Sequence, residues 1–358
     1  MAAGSLRICT YTTPMKLAEE PTGPHARGRD DSRRLLLAAD VGGTHARIGL
    51  LAARRSGRWP VDLLAYRSYG CAAWPGLAEI LGDFIANHCD GHAIAECALA
   101  AAGYLRGDEL VAENLRWPVR LSALRTQANL QRLDVLNDFE ALACATQFLS
   151  ANDAFTLIEG RAESAPTLVV GPGTGLGCAL LLPGSDGAMV MATEAGHVAL
   201  APGDERECDV LRVLARGRDY VPTGHALSGP GIVNLYRALA EIDGLPVMHA
   251  QPAQISAAAL RGDDALAAEA LRLFCAMLGA FVGDLAVLCK AGGGVWLAGG
   301  ILPSIRDFLV ASEFRARFFN KGVMREFLSG VPVRLIEHGQ LGVIGAACLH
   351  LRARREAA

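Results

Sequence analysis

Hydrophobic positions along the chain fall into short runs that break at glycine. Residues 35–39 are apolar, the run ends at Asp40 and a Gly42-Gly43 turn, and a second apolar run spans 46–51, a spacing that predicts strand, turn, strand. Residues 167–170 repeat this arrangement, running into Gly171-Pro172-Gly173-Thr174-Gly175-Leu176-Gly177 and then an apolar stretch at 178–182. One pattern met in both halves of the chain predicts a duplicated architecture. A third run at 295–298 lies between Gly292-Gly293-Gly294 and Gly299-Gly300 and predicts another strand between glycine turns; residues 133–136 predict one that closes on Asn137-Asp138.

Helical periodicity fills the intervals, at 77–86, 139–148, 233–241, 265–288, 304–310 and 341–355. The mixture is α/β. Asp138 falls near the start of the 139–148 helix, where a carboxylate is electrostatically favoured. An Asn or Asp in such a place is commonly no more than a cap, so position alone leaves both roles open.

With 358 residues and 51% hydrophobic content the chain can bury a large core, and its length favours two lobes with a binding cleft between them. The formal charge of -3 and the pI near 6.3 leave no basic surplus for phosphodiester backbones or anionic lipid, so neither nucleic acid nor membrane is expected as a partner. The ten cysteines contain no Cys-x-x-Cys pair and sit mostly in apolar stretches, as at Cys97, Cys178, Cys275 and Cys289; this predicts free thiols, a reducing cytoplasm and no zinc cluster. No apolar run is expected to reach the roughly 18 residues of a membrane span. Residues 1–34 are rich in Pro, Gly, Thr and charge and lack the apolar core of a secretory signal; they are expected to form a disordered leader, with Met15 as an alternative start.

Glycines let backbone N–H groups approach a polyphosphate closely, and successive N–H groups form an anion-binding concavity. Two such turns could grip two parts of one nucleotide, although either alone is commonly just a hairpin. The chain has no Gly-Lys pair, which excludes a Walker A loop, and the glycines at 171, 173, 175 and 177 do not match G-x-G-x-x-G.

Six segments, in this order, resemble the signature segments of bacterial-type glucokinases in the hexokinase and actin-like ATPase superfamily. They are Asp40-Val41-Gly42-Gly43-Thr44-His45-Ala46-Arg47, Leu136-Asn137-Asp138-Phe139, the 171–177 turn, Thr193-Glu194-Ala195-Gly196-His197, Leu227-Ser228-Gly229-Pro230-Gly231, and the stretch from Val295 to Pro303. The similarity spans about 35–351. It implies a two-lobed actin/hexokinase-like fold, a duplicated ribonuclease H-like unit with a central cleft, in which 35–147 plus 341–358 form a small domain and 148–340 a large one. The implied activity is transfer of the terminal phosphoryl of ATP to the 6-hydroxyl of glucose, with ATP and Mg²⁺ as cofactors, glucose and ATP as ligands, and a homodimer as the assembly.

The resemblance also implies roles. Asp138 is the catalytic carboxylate beside the attacking hydroxyl; an ordinary aspartate is a weak base for an alcohol, but a loose transition state needs proton removal only late. Asn137, Glu194, His197 and Asn114 are sugar-side contacts. Gly42, Gly43 and Thr44 with Gly173, Thr174 and Gly175 form the two phosphate turns, Gly299 and Gly300 the adenosine-side turn, and Asp40 holds Mg²⁺ through water. Without that context, Asp40 reads as a turn residue and His197 as a buried core histidine.

Three departures stand out. Gly224 occupies the place where the family usually carries a glutamate that bonds the sugar near its anomeric end; a charge-assisted bond of that kind is worth about 1.5–3 kcal/mol. His45 replaces the asparagine commonly seen in the first turn, and Gly103-Tyr104-Leu105-Arg106 replaces a proline-containing stretch beside the sugar. A catalytically weak homologue acting as a sugar or nucleotide sensor, or a kinase for another hexose, is therefore the alternative. Related repressors with a Cys-rich zinc segment and a DNA-binding helix pair are disfavoured, because neither feature is present in the sequence.

Overall fold

The computed structural model describes residues 34–112, 115–185, 187–337 and 339–356. Strands are β1 (Leu35–Val41), β2 (His45–Ala53), β3 (Val61–Gly70), β4 (Glu96–Ala101), β5 (Tyr104–Arg106), β6 (Glu109–Val111), β7 (Val119–Arg120), β8 (Arg132–Leu136), β9 (Phe155–Ile158), β10 (Thr167–Pro172), β11 (Leu176–Leu182), β12 (Met189–Thr193), β13 (Gly294–Leu297) and β14 (Val333–Leu335). Helices are α1 (Leu77–His88), α2 (Leu121–Gln127), α3 (Asp138–Thr146), α4 (Glu205–Leu214), α5 (Gly229–Asp243), α6 (Pro252–Arg261), α7 (Ala265–Leu288), α8 (Ile301–Ser304), α9 (Arg306–Ala311), α10 (Phe314–Phe319), α11 (Arg325–Ser329) and α12 (Leu341–Glu356).

Among these residues the strands form a five-stranded sheet, β3-β2-β1-β4-β8, a six-stranded sheet, β12-β11-β10-β13-β14-β9, and a small β5-β6-β7 sheet. The two large sheets share one connectivity. Each opens with an antiparallel meander, β1-β2-β3 or β10-β11-β12, and continues on the other side of its first strand with parallel neighbours, β4 and β8 or β13 and β14. The duplication predicted from the repeated glycine hairpins is thus a repeat of sheet topology. The first strand of each copy is covered on both faces, which is why it reads as an unbroken apolar run.

Leu37, Ala39 and Val41 pack under α1 with Ile80, Leu81 and Phe84, while Leu36 and Ala38 face Ala141 and Cys144 of α3 and Val343, Ile344 and Ala347 of α12. In the second sheet Leu168 and Val170 join the main core with α5 and α7, and Val169 turns the other way with Trp296 against Ala143 and Ala145 of α3. Helix α3 therefore lies between the two sheets, buried on both sides by small residues. A β-carbon on Gly345 of α12 would overlap the Ala141 carbonyl, so these two helices meet backbone to backbone.

Most predicted elements are present with ends shifted by at most four residues, and the 265–288 helix matches at both ends. The helix expected at 304–310 is instead two pieces, α8 and α9, because Ile305 leaves helical geometry (φ -117°, ψ 17°) and turns its side chain inward. Contrary to the expectation from the sequence, one helix, α7, is long and apolar enough to cross a membrane by length and composition; most of it is buried as the core helix behind the second sheet, which is why it is so apolar. Cys97, Cys178 and Cys275 are buried and burial pushes their thiols up, to about 12, 11 and 12; Cys289, half-buried at the end of α7, is raised for the same reason. The leader and Asn114 lie outside the described residues.

Candidate active site

The first turn closes tightly between β1 and β2. The Gly42 N–H donates to the His45 carbonyl (3.0 Å), and β3 is followed at once by Cys71, whose N–H donates to the Thr44 carbonyl (2.9 Å) and whose Sγ lies 3.4 Å from the Gly42 carbonyl. Thr44 and His45 stay exposed. Antiparallel register sets Asp40 opposite Arg47, and Arg47 Nη1 donates to Asp40 Oδ2 at 3.2 Å. Burial pushes the Asp40 carboxyl above its ordinary value, and the Arg47 guanidinium opposes that rise. The chain entering α12 leans on this pair: a β-carbon on Gly342 would stand 2.6 Å from Asp40 Oδ2.

The second turn is shorter than the glycine pattern predicts. Gly171 and Pro172 belong to β10 and pair with Gly177 and Leu176 of β11, leaving Gly173, Thr174 and Gly175 to turn, with the Gly173 N–H donating to the Gly175 carbonyl (2.7 Å). The ring of Phe139 fills the space over Gly171 and Gly177, where a β-carbon on Gly177 would overlap it. This contact docks the start of α3 onto the second turn. Asn137 is the cap of α3: its Oδ1 accepts from the N–H groups of Phe139 (2.9 Å) and Glu140 (3.1 Å). The cap role left open for Asp138 thus falls mainly to its neighbour, and only Nδ2 of Asn137 is left to address a ligand. Asp138 Oδ1 also accepts from the Phe139 N–H (2.9 Å). Its carboxyl is pushed up to about 6, first by burial and then by the negative charges of Asp40 and Glu194, against its backbone hydrogen bonds.

Residues 195–197 form a single 3-10 turn that buries Ala195 and Gly196 and leaves Glu194 and His197 exposed, their side chains 83% and 70% accessible and 3.8 Å apart. His197 is therefore no core histidine. The turn at 223–225 packs on this one: a β-carbon on Gly224 would lie 3.3 Å from the Gly196 carbonyl and 3.6 Å from Leu176 Cβ, and Gly224 has no positive φ. Gly299 has φ +90° and presses on the Pro172 carbonyl, a position closed to a side chain, while Gly300 precedes α8. Among the described residues no three His, Cys, Asp or Glu side chains converge to hold a metal by themselves. Magnesium needs no such cage, since it takes one or two carboxylates and completes its shell with water and phosphate oxygens; Asp40 at the mouth of a glycine turn fits that donor set.

Asp40 and Glu194 are thus each brought within electrostatic reach of Asp138, whose helix is docked on the second glycine turn. Sequence reasoning gave no role to Arg47 or Phe139. Arg47 was within reach of it, because a three-residue turn between paired strands sets positions 40 and 47 opposite each other; the Phe139 contact crosses between the two sheets and leaves no local signal.

Duplicated sheets with paired glycine turns and carboxylates between them define a sugar kinase of the actin-like ATPase fold. The glucokinase family model matches residues 37–353, and the chain belongs to that family. A glucokinase-like protein of Xylella fastidiosa (strain 9a5c) is 46% identical over 89% of this chain and 95% of its own, and a glucokinase of Saccharophagus degradans is 35% identical over 87% and 96%. The crystal structure of a glucokinase from an Antarctic psychrotroph superposes with a TM-score of 0.75 at 32% identity, covering 89% of this chain and 99% of that one.

Proposed function

We propose that this enzyme transfers the γ-phosphoryl of MgATP to the 6-hydroxyl of glucose, giving glucose 6-phosphate and ADP. The observation that carries the reading is Asp138, a carboxylate raised to about 6 at the start of a helix docked by Phe139 onto the Gly173–Gly175 turn. Asp138 orients the hydroxyl and takes its proton late, as the oxygen bonds to phosphorus and the bond from phosphorus to the bridging oxygen of ADP breaks. Asn137 Nδ2, Glu194 and His197 bond the remaining sugar hydroxyls, and the N–H groups of the two turns hold the phosphates. Asp40, steadied by Arg47, would hold magnesium, which neutralises charge on the phosphate oxygens when bound. Gly299 and Gly300 border the adenosine. In this reading 35–147 with 341–358 and 148–340 are the lobes flanking the cleft, the enzyme works in the cytoplasm at the entry to glycolysis, and it assembles as a homodimer. ADP release measured across a panel of hexoses tests the reaction; it is overturned if glucose does not raise release above the sugar-free background.

The acid limb of the pH profile follows from the same carboxylate. Asp138 must be ionised to accept a proton, so kcat/KM is expected to fall about tenfold per pH unit below about 6 and to level off above 7. A profile flat to pH 5 removes Asp138 as the base.

A sensor is the second reading, and Gly224 is what favours it. Gly224→Glu tests it. Its backbone needs no positive φ, and the new β-carbon meets the Gly196 carbonyl at 3.3 Å, so the 195–197 turn gives by a few tenths of an ångström to admit the side chain. The KM for glucose is expected to fall about tenfold with a smaller change for ATP, as one added charge-assisted hydrogen bond would give. An unchanged glucose KM in a folded variant means that this turn does not face the sugar.

A further inference from the structure

Few polar side chains are fully buried in this protein, and two of those in the described residues, Thr223 and Ser228 (each 2% exposed), lie on either side of Gly224. Thr223 reaches toward the sugar-side turn: its N–H and its Oγ1 both donate to the carbonyl of Val198, the residue after His197, at 2.8 and 2.9 Å. Ser228 caps α5, accepting from the Gly231 N–H (3.0 Å), and its Oγ donates to the Gly224 carbonyl (2.7 Å). The next N–H along, that of Gly229, donates to the carbonyl of Gly173 in the second glycine turn (2.8 Å). A β-carbon added at either Gly196 or Gly224 would meet Leu176, which ends that glycine turn. One cap residue and its neighbour thus tie the sugar-side turns to the phosphate turn through buried and part-buried hydrogen bonds, where a lost partner is costly.

We infer that Ser228 is a positioning residue that couples the two substrate sites, so that glucose held at the 194–197 turn sets the Gly173–Gly175 turn for nucleotide, and the reverse. This rests on the reading of the two turns as sugar and phosphate sites. A shared rigid element biased by both ligands gives a reciprocal coupling, commonly about 5- to 150-fold in affinity. Loss of the Ser228 hydroxyl frees the Gly224 carbonyl and loosens the cap that sets the Gly229 N–H on Gly173.

Calorimetric titration of the full-length protein with glucose and with a non-hydrolysable ATP analogue, each alone and with the other saturating, measures this coupling. The parent is expected to bind glucose at least fivefold more tightly with the analogue present, and the analogue more tightly with glucose by the same factor. Ser228→Ala should bring both factors close to one, and Ser228→Thr, which keeps the hydroxyl, should restore them. A merely structural cap would lower Tm in Ser228→Ala and leave the coupling intact, which overturns the inference. If Ser228→Ala fails to fold, Thr223→Val serves: it keeps the shape and the backbone bond to Val198, and it should lower both coupling factors at least twofold while leaving the analogue's affinity in the absence of sugar unchanged. Coupling factors equal to the parent's in a folded Thr223→Val overturn the inference. A parent that binds both ligands without coupling also overturns it, while a parent that binds no glucose overturns the proposed reaction instead.

Discussion

Asp138→Asn is expected to lower kcat by a factor on the order of 10²–10⁴, to leave nucleotide affinity within a few fold, and to make the protein more stable above pH 6. In the proposed reaction the loss in rate follows from removing the group that takes the hydroxyl proton, and nucleotide affinity is spared because that group would face the sugar and not the phosphates. The gain in stability has a separate origin. The folded protein raises this carboxyl from 3.8 to about 6, mainly by burial, so its protonated form is the one the fold favours. That contribution is fully present below pH 4 and is lost as pH rises through 6. Asparagine stays neutral throughout and still offers an oxygen to the Phe139 N–H. The variant should therefore match the parent near pH 4 and exceed it at pH 8 by about 1–3 kcal/mol. Thermal melts at both pH values, together with ADP release, check the pair of effects. More than a tenth of parental kcat in the variant would sink Asp138 as the base, and a gain in stability equal at both pH values would sink the electrostatic account.

Gly345→Ala should destabilise the protein, although it lies in a helix and adds one methyl group. Alanine forms helix better than glycine by about 1 kcal/mol where nothing opposes it. At 345 the methyl would overlap the Ala141 carbonyl, and backbone atoms cannot step aside as a flexible side chain can. Helices α3 and α12 must move apart, at a cost of about 1–3 kcal/mol or more. Asp138 is the first residue of α3, so the displacement reaches the site, where about 1 Å can cost on the order of 10²-fold in rate. Gly82 in α1 is the control, since a β-carbon there meets nothing within 4 Å. Gly82→Ala should raise Tm slightly and leave kcat unchanged. If both variants melt alike and keep parental kcat, the close crossing of α3 and α12 does not position the site.

Much of this architecture was legible because its signals are local. A strand buried on both faces is an apolar run, a turn that must pass close to backbone is a glycine, and both occur twice, so strand, turn and duplication could be read from 35–51 and 167–182. The order of six short segments carried the family, and with it the carboxylate at 138. Where local patterning was silent, expectation and structure part: Ile305 divides a helix that periodicity made continuous, and the second turn spans three residues because Pro172 and Gly171 keep the strand register with Leu176 and Gly177.

What the sequence by itself determined is the set of elements and the chemical character of the residues at their ends, since helix, strand and turn preferences depend on neighbours a few positions away. Only the tertiary structure decided that α3 lies between two sheets, that Phe139 seats it on the second glycine turn, that Asn137 and not Asp138 is its main cap, and that Arg47 pairs with Asp40. Each depends on groups far apart in the chain meeting at the same place. The raised carboxyl of Asp138 belongs to that second group, because its burial and the nearby charges of Asp40 and Glu194 exist only once the chain has folded.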